Sequence, residues 1–118
     1  MDAQQLLSLL ATAEGFEWDK GNAEKNLKHG VEQLEIEQVF FSPPSVVFPD
    51  ARHSSGEERW MLFGKTFSGR HLMVVFTMRT RLIRPISARP MDRKEVRFYE
   101  EETKKNVLEL LKKELAKK

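Results

Sequence analysis

Cysteine is absent from the 118 residues, which excludes disulfides, zinc–thiolate sites and thiol catalysis. Histidine is scarce. His29, His53 and His71 lie far apart, and none stands four residues from another in a ligand pattern, so no metal site is expected. The six glycines are scattered as turn residues, so no glycine-rich phosphate loop exists. Nothing resembles a local Ser/His/Asp motif or calls for a cofactor. Apolar runs are short. The longest, such as residues 72–78, fall far below the roughly 20 residues of a membrane span. The start, Met1-Asp2-Ala3-Gln4-Gln5, lacks the basic and apolar stretches of a signal peptide, so a cytoplasmic protein is expected. What remains is 40% hydrophobic and 32% charged, too apolar for a disordered segment. One domain over residues 1–118 is expected at this length.

Charge is unevenly spread. Residues 1–58 hold four Lys/Arg against eleven Asp/Glu, whereas residues 59–97 hold ten Lys/Arg against Asp92 and Glu95. A basic middle of this kind points to an anionic partner, with nucleic acid the commonest. The competing reading is a solvated strand face neutralised by acids from the first half. Between Arg59 and Asp92 the basic residues are arginines apart from Lys65. The planar guanidinium grips two phosphate oxygens at once, which favours phosphate recognition.

The periodicities predict helices first, then strands, then a helix. Asp2 caps a short helix carrying Leu6, Leu7, Leu9 and Leu10 and ending near Gly15. Phe16 and Trp18 alternate in a brief strand. Residues 23–29 form a helix stopped by Gly30, and Val31, Leu34, Ile36, Val39 and Phe40 mark another, ended by Ser42-Pro43-Pro44. Strands are expected at 45–48, 59–63, 71–78 and 82–89, joined by short connections into an antiparallel meander. The third is apolar on both faces, as a central strand is. Asp92-Arg93-Lys94-Glu95 opens the last helix, with Val96, Tyr99, Thr103, Val107, Leu110, Leu111 and Leu115 on one side. Its end beyond Val107 is expected to pass the domain or meet a partner. The class is α+β.

One chemistry needs neither metal nor protein nucleophile: RNA cleavage by the ribose 2′-hydroxyl. The protein aligns the attack, stabilises charge on the phosphorus oxygens and manages two protons. Arg59, Arg79, Arg84, Arg89, His29 and Tyr99 are residues of the required types. Each has a plainer use: His29 caps a helix end beside Gly30, Tyr99 fills a core, and Arg89 pairs with Glu95.

Several motifs then converge. Phe16-Glu17-Trp18-Asp19, Asn26-Leu27-Lys28-His29-Gly30-Val31, Gly56-Glu57-Glu58-Arg59, Gly69-Arg70, Val74-Val75-Phe76-Thr77-Met78-Arg79, Ile86-Ser87-Ala88-Arg89, Arg93-Lys94-Glu95 and Tyr99 resemble the BrnT toxin family in order and spacing. Residues 1–15, a leader helix, and the tail from about residue 103 lie outside the resemblance. It implies a RelE-like fold and a metal-independent endoribonuclease toxin that inhibits translation. It also implies a BrnA-type ribbon-helix-helix antitoxin that neutralises the toxin, operator DNA bound only through that antitoxin, and RNA, including ribosome-bound messenger, as substrate.

On this basis Arg79 and Arg89 are expected to clamp the phosphate and Tyr99 or His29 to carry a proton. Arg59, Arg84, Lys65 and Arg81 are expected to bind RNA. Pro85 departs from the family pattern and removes a ladder donor, so the strand must be bulged or at an edge there. Pro85 also favours the rival reading, a non-catalytic relic that keeps only antitoxin and operator binding.

Overall fold

The computed structural model describes residues 2–25, 29–51 and 56–117. Residues 26–28 of the helix expected to end at Gly30, and His53, lie outside them. The elements are α1 (Ala3–Ala11), β1 (Gly15–Phe16), α2 (Lys20–Lys25), α3 (Gln33–Phe40), β2 (Val46–Pro49), β3 (Trp60–Lys65), β4 (His71–Arg79), β5 (Leu82–Pro90) and α4 (Arg93–Ala116). Capping explains the helix starts. The Asp2 carboxylate accepts from the Gln5 backbone at 2.8 Å, and that of Asp92 accepts from Glu95 at 2.8 Å.

The sheet order is β1-β5-β4-β3-β2. Strands β2 to β5 form the expected antiparallel meander, with β4 central. The sheet as a whole is mixed rather than antiparallel, because β1 pairs parallel with β5, Gly15 opposite Leu82 and Phe16 opposite Ile83. A two-residue strand takes its direction from a partner distant in sequence, and short-range spacing carries no trace of that.

The two faces of the sheet bury two cores. Helices α1 and α3 cover one, where Leu6, Ile36 and Val39, with Val31 just before α3, meet Trp60, Leu62, Leu72, Val74, Phe76, Ile83 and Ala88. Each such side chain contributes roughly 1.5–3 kcal/mol by leaving water. Leu6 is fully buried, so the leader helix is part of this core. At Gly64 a Cβ would sit 3.4 Å from the Val39 carbonyl, so glycine lets α3 approach β3 closely. On the opposite face α4 brings Tyr99 against Val46, Phe63, Met73 and Met91. Beyond Thr103 the helix leaves the sheet, and Val107, Leu108, Leu110, Leu111 and Leu115 are exposed.

Pro85 is accommodated by a bulge. Val75 pairs with Ser87 and Phe76 with Pro85, so Ile86 is the extra residue of β5. Pro85 itself is fully buried, and its carbonyl accepts from Asn22 Nδ2 at 2.8 Å.

Candidate functional site

Cross-strand partners in an antiparallel ladder share a face. Arg84 is opposite Thr77 and Arg89 opposite Met73, and Arg79 follows Thr77 by two residues, so all three lie on the face that carries α4. Arg59 immediately precedes β3, and the alternation set by Trp60 opposite Phe76 puts it on that face too. The α4 helix covers only the far end. At the near end Arg59, Arg79 and Arg84, with Glu57, Gly21, Asn22 and Ile86, line a cavity of about 290 Å³.

Three carboxylates, two from the Glu17–Asp19 segment and one from Glu57, meet Arg79 and Arg84. Glu57 takes Arg79 in a fork, with Nε donating to Oε2 at 3.0 Å and Nη2 to Oε1 at 3.0 Å. Glu17 Oε1 accepts from Arg79 Nη1 at 3.0 Å and from Arg84 Nη1 at 2.9 Å, so it bridges the pair. Asp19 lies 2.8 Å from Arg84 Nη2. These contacts set the ionisation. The Arg79 guanidinium holds the Glu57 carboxyl below the usual carboxylate range, and Arg79 is itself pushed up, chiefly by Glu57. Asp19 is held low first by the Asn22 backbone and then by Arg84.

Asn22 forms the back wall. Its Nδ2 donates to the carbonyls of Glu17 at 3.0 Å and Pro85 at 2.8 Å. Its Oδ1 accepts from the Asp19 backbone at 2.7 Å. One buried amide thus ties the segment bearing Glu17 and Asp19 to the bulge beside Arg84.

The other expected site residues fall elsewhere. Arg89 is four β4 positions from Arg84 by register, roughly 13 Å at ~3.3 Å per residue. It grips Glu95 at 2.6 and 2.9 Å and does not share the cavity with Arg79, whose neighbour there is Arg84, joined to it by Glu17. Tyr99 is fully buried, and its hydroxyl donates to the Pro44 carbonyl. Burial pushes that phenol up, with the charge of Glu100 adding to the effect. Lys65 lies 3.8 Å from Glu100 and above the Tyr99 ring, beside His71, which contacts Glu100 at 2.8 Å. Arg81 sits in the β4–β5 turn, 3.1 Å from Glu14. His29 is exposed beside Gly30, whose carbonyl accepts from Arg70 Nη1 at 2.9 Å. Tyr99, Lys65, Arg81 and His29 do not line the arginine cavity.

Sequence reasoning expected acids of the first half to neutralise the basic face without naming which, and missed the amide. Glu17, Asp19 and Glu57 belong to the very motifs that carried the resemblance, which was the available signal. Asn22 gave none beyond its fitness as a helix cap. Among the described residues, no three His, Asp or Glu side chains gather as a metal would require. No described helix is long and apolar enough to cross a membrane.

The family model described as the ribonuclease toxin BrnT of a type II toxin–antitoxin system matches residues 18–95. No individual curated protein matches the chain. The matched stretch contains Asp19, Asn22, Glu57, Arg59, Arg79 and Arg84, and it is about two thirds of the sequence. The chain belongs to the BrnT family of ribonuclease toxins of type II toxin–antitoxin systems.

Proposed function

We propose that this toxin cleaves RNA endonucleolytically by 2′-hydroxyl attack, without a metal, leaving a cyclic phosphate and arresting translation. The observation that carries the reading is the gathering of Arg59, Arg79 and Arg84 around one cavity open to solvent. Arg79 and Arg84 grip the scissile phosphate and Arg59 supports them. Arg89, and beyond it Lys65, meet flanking backbone along the same face. Arg81 extends the basic edge at the hairpin. Guanidinium donors in such a position stabilise charge that develops on the phosphorus oxygens. Toxins of this class act opposite an antitoxin. A RelE-like toxin fold fits the element order, and with it goes the proposal of a BrnA-type ribbon-helix-helix partner through which the pair binds operator DNA.

Induction of wild type, Arg79→Ala and Arg84→Ala in cells without antitoxin tests the reading. Wild type arrests growth, and its RNA carries new 5′ ends; each variant loses about 10²–10³-fold in cleavage, as loss of one oxyanion donor does elsewhere. Equal toxicity of all three overturns it.

A second reading draws on the carboxylates. Glu17, Asp19 and Glu57 neutralise Arg79 and Arg84, as a purely structural ion-pair network would. The protein is then a non-catalytic relic that binds only antitoxin. Purified wild type incubated with ribosomes and messenger produces no new RNA ends in that case.

A further inference from the structure

We infer that Glu57 is the general base of the cleavage, accepting the proton of the attacking 2′-hydroxyl after the substrate phosphate has taken its place on Arg79. The inference deepens the ribonuclease reading and rests on it.

The geometry starts with the fork. Both carboxylate oxygens of Glu57 sit 3.0 Å from Arg79 nitrogens, the two-pronged arrangement that a phosphodiester also adopts on arginine. A phosphate binding there must displace this carboxylate. The displaced group stays beside the phosphate, because Glu57 lines the same cavity. The other two acids are less able to move. Glu17 is shared by Arg79 and Arg84, and Asp19 is held by Arg84 and by the Asn22 backbone N–H at 3.0 Å. Other proton-transfer candidates stand away from the cavity: His71 and Lys65 contact Glu100, Tyr99 donates to Pro44, and His29 is not in its lining.

Charge gives the second argument. With Glu17, Asp19 and Glu57 set on Arg79 and Arg84, the cavity has little surplus attraction for an anion. Displacing one acid frees a fork for the phosphate and leaves an unpaired base. In the resting site Arg79, with Arg59 and Arg84 nearby, keeps Glu57 below the usual carboxylate range, and therefore ionised at neutral pH. Loss of the Arg79 contact and arrival of an anionic phosphate both raise it, moving it toward the strength a base needs.

The step balances. The 2′-hydroxyl proton passes to a Glu57 oxygen as O2′ bonds to phosphorus. The P–O5′ bond breaks, and O5′ takes a proton from water. Glu57 then releases its proton to solvent. The products are a 2′,3′-cyclic phosphate and a 5′-hydroxyl, with no redox change.

The test uses the full chain and two readouts. Cleavage of an RNA oligonucleotide is measured beside affinity for the same sequence fully 2′-O-methylated, which binds but has no nucleophile. Glu57→Gln is expected to lower cleavage by about 10²–10⁴-fold, the usual reach of a positioned base. Its affinity for the methylated strand stays equal or tightens, because a charged competitor has left Arg79. Glu57→Asp, which keeps a carboxylate, recovers part of the rate. Three results overturn the assignment: E57Q cleaving like wild type; cleavage and affinity rising together, the mark of a mere plug; or both falling together, the mark of a residue that only positions Arg79. A wild type that yields no cyclic-phosphate ends overturns the ribonuclease reading itself, which separates the two failures.

Discussion

The two ends of β5 carry similar arginines set in different surroundings. Arg89, near the C-terminal end, pairs with Glu95 only six residues away. The same Glu95 Oε1 accepts from the Asp92 backbone at 2.9 Å, so the pair braces the start of α4. Arg84, near the other end, meets Glu17 and Asp19, and its neighbour Arg79 adds Glu57. Those contacts join segments 22 to 67 residues apart. A local pair stabilises the element that contains it. A cluster assembled from distant segments costs folding entropy and yields a shaped, charged cavity, which is how binding sites are usually built.

The sharpest way to break this contrast is to remove each arginine in turn. Arg79→Ala or Arg84→Ala is expected to cost about 2.7–4 kcal/mol of transition-state stabilisation in RNA cleavage. Arg89→Ala leaves cleavage within about tenfold, since a flanking phosphate contact is worth less than an oxyanion donor. If the order reverses, the clamp is centred on Arg89. Next in size is Asn22→Ala. It strips hydrogen-bond partners from the carbonyls of Glu17 and Pro85, and unpaired buried groups cost about 1–3 kcal/mol. A thermal or urea melt reads that loss. Cleavage falls with it as the Glu17–Asp19 segment loosens against Arg84.

How much of this was legible in the sequence depends on range. Periodicity and caps located α1, α3, β2 to β5 and α4, because alternation, Pro43-Pro44 and the Asp92–Glu95 box are local signals. The bulge at Pro85 was foreseeable for the same reason: a missing donor must be absorbed where it occurs. The parallel pairing of β1 was hidden, since two residues carry no direction. At the site, counting charges found the arginines but could not say which shared a cavity. Arg84 and Arg89 are five residues apart with a bulge between them, and only the register separates their roles. The acids were hidden in another way. Glu57 and Glu17 read only as two of eleven acids available to neutralise the basic face until folding places them on Arg79.

A smaller effect sharpens the structural side of the comparison. The Arg89 guanidinium holds Glu95 below the ordinary carboxylate range. A group depressed in the fold gives stability that is whole above its unfolded value and lost as pH falls through the folded one. Wild type therefore loses melting temperature on acidification through the carboxylate range, and Glu95→Gln flattens that loss. At neutral pH the variant is about 0.5 kcal/mol less stable, from the lost, partly exposed ion pair, while the glutamine Oε1 still accepts from the Asp92 backbone. Its RNA cleavage is unchanged if the brace is only structural.

The smallest expected effect lies in the outer half of α4. A helix of 24 residues is roughly 36 Å long at ~1.5 Å per residue, yet only Tyr99 and Thr103 on it are buried. Leu111 is 55% exposed and Leu115 68% exposed. The molecule's extents of 52 × 30 × 26 Å accord with a helix end that projects. Leu111→Ser is therefore expected to change the stability of the chain by less than about 0.5 kcal/mol, and cleavage not at all. A larger loss in the isolated protein means that this half of the helix packs against something, and its dependence on protein concentration decides whether that is a second copy. Either result bears on the cavity: a toxin whose tail is inert in stability and cleavage has its chemistry confined to the opposite end of the sheet, where the acids meet the arginines.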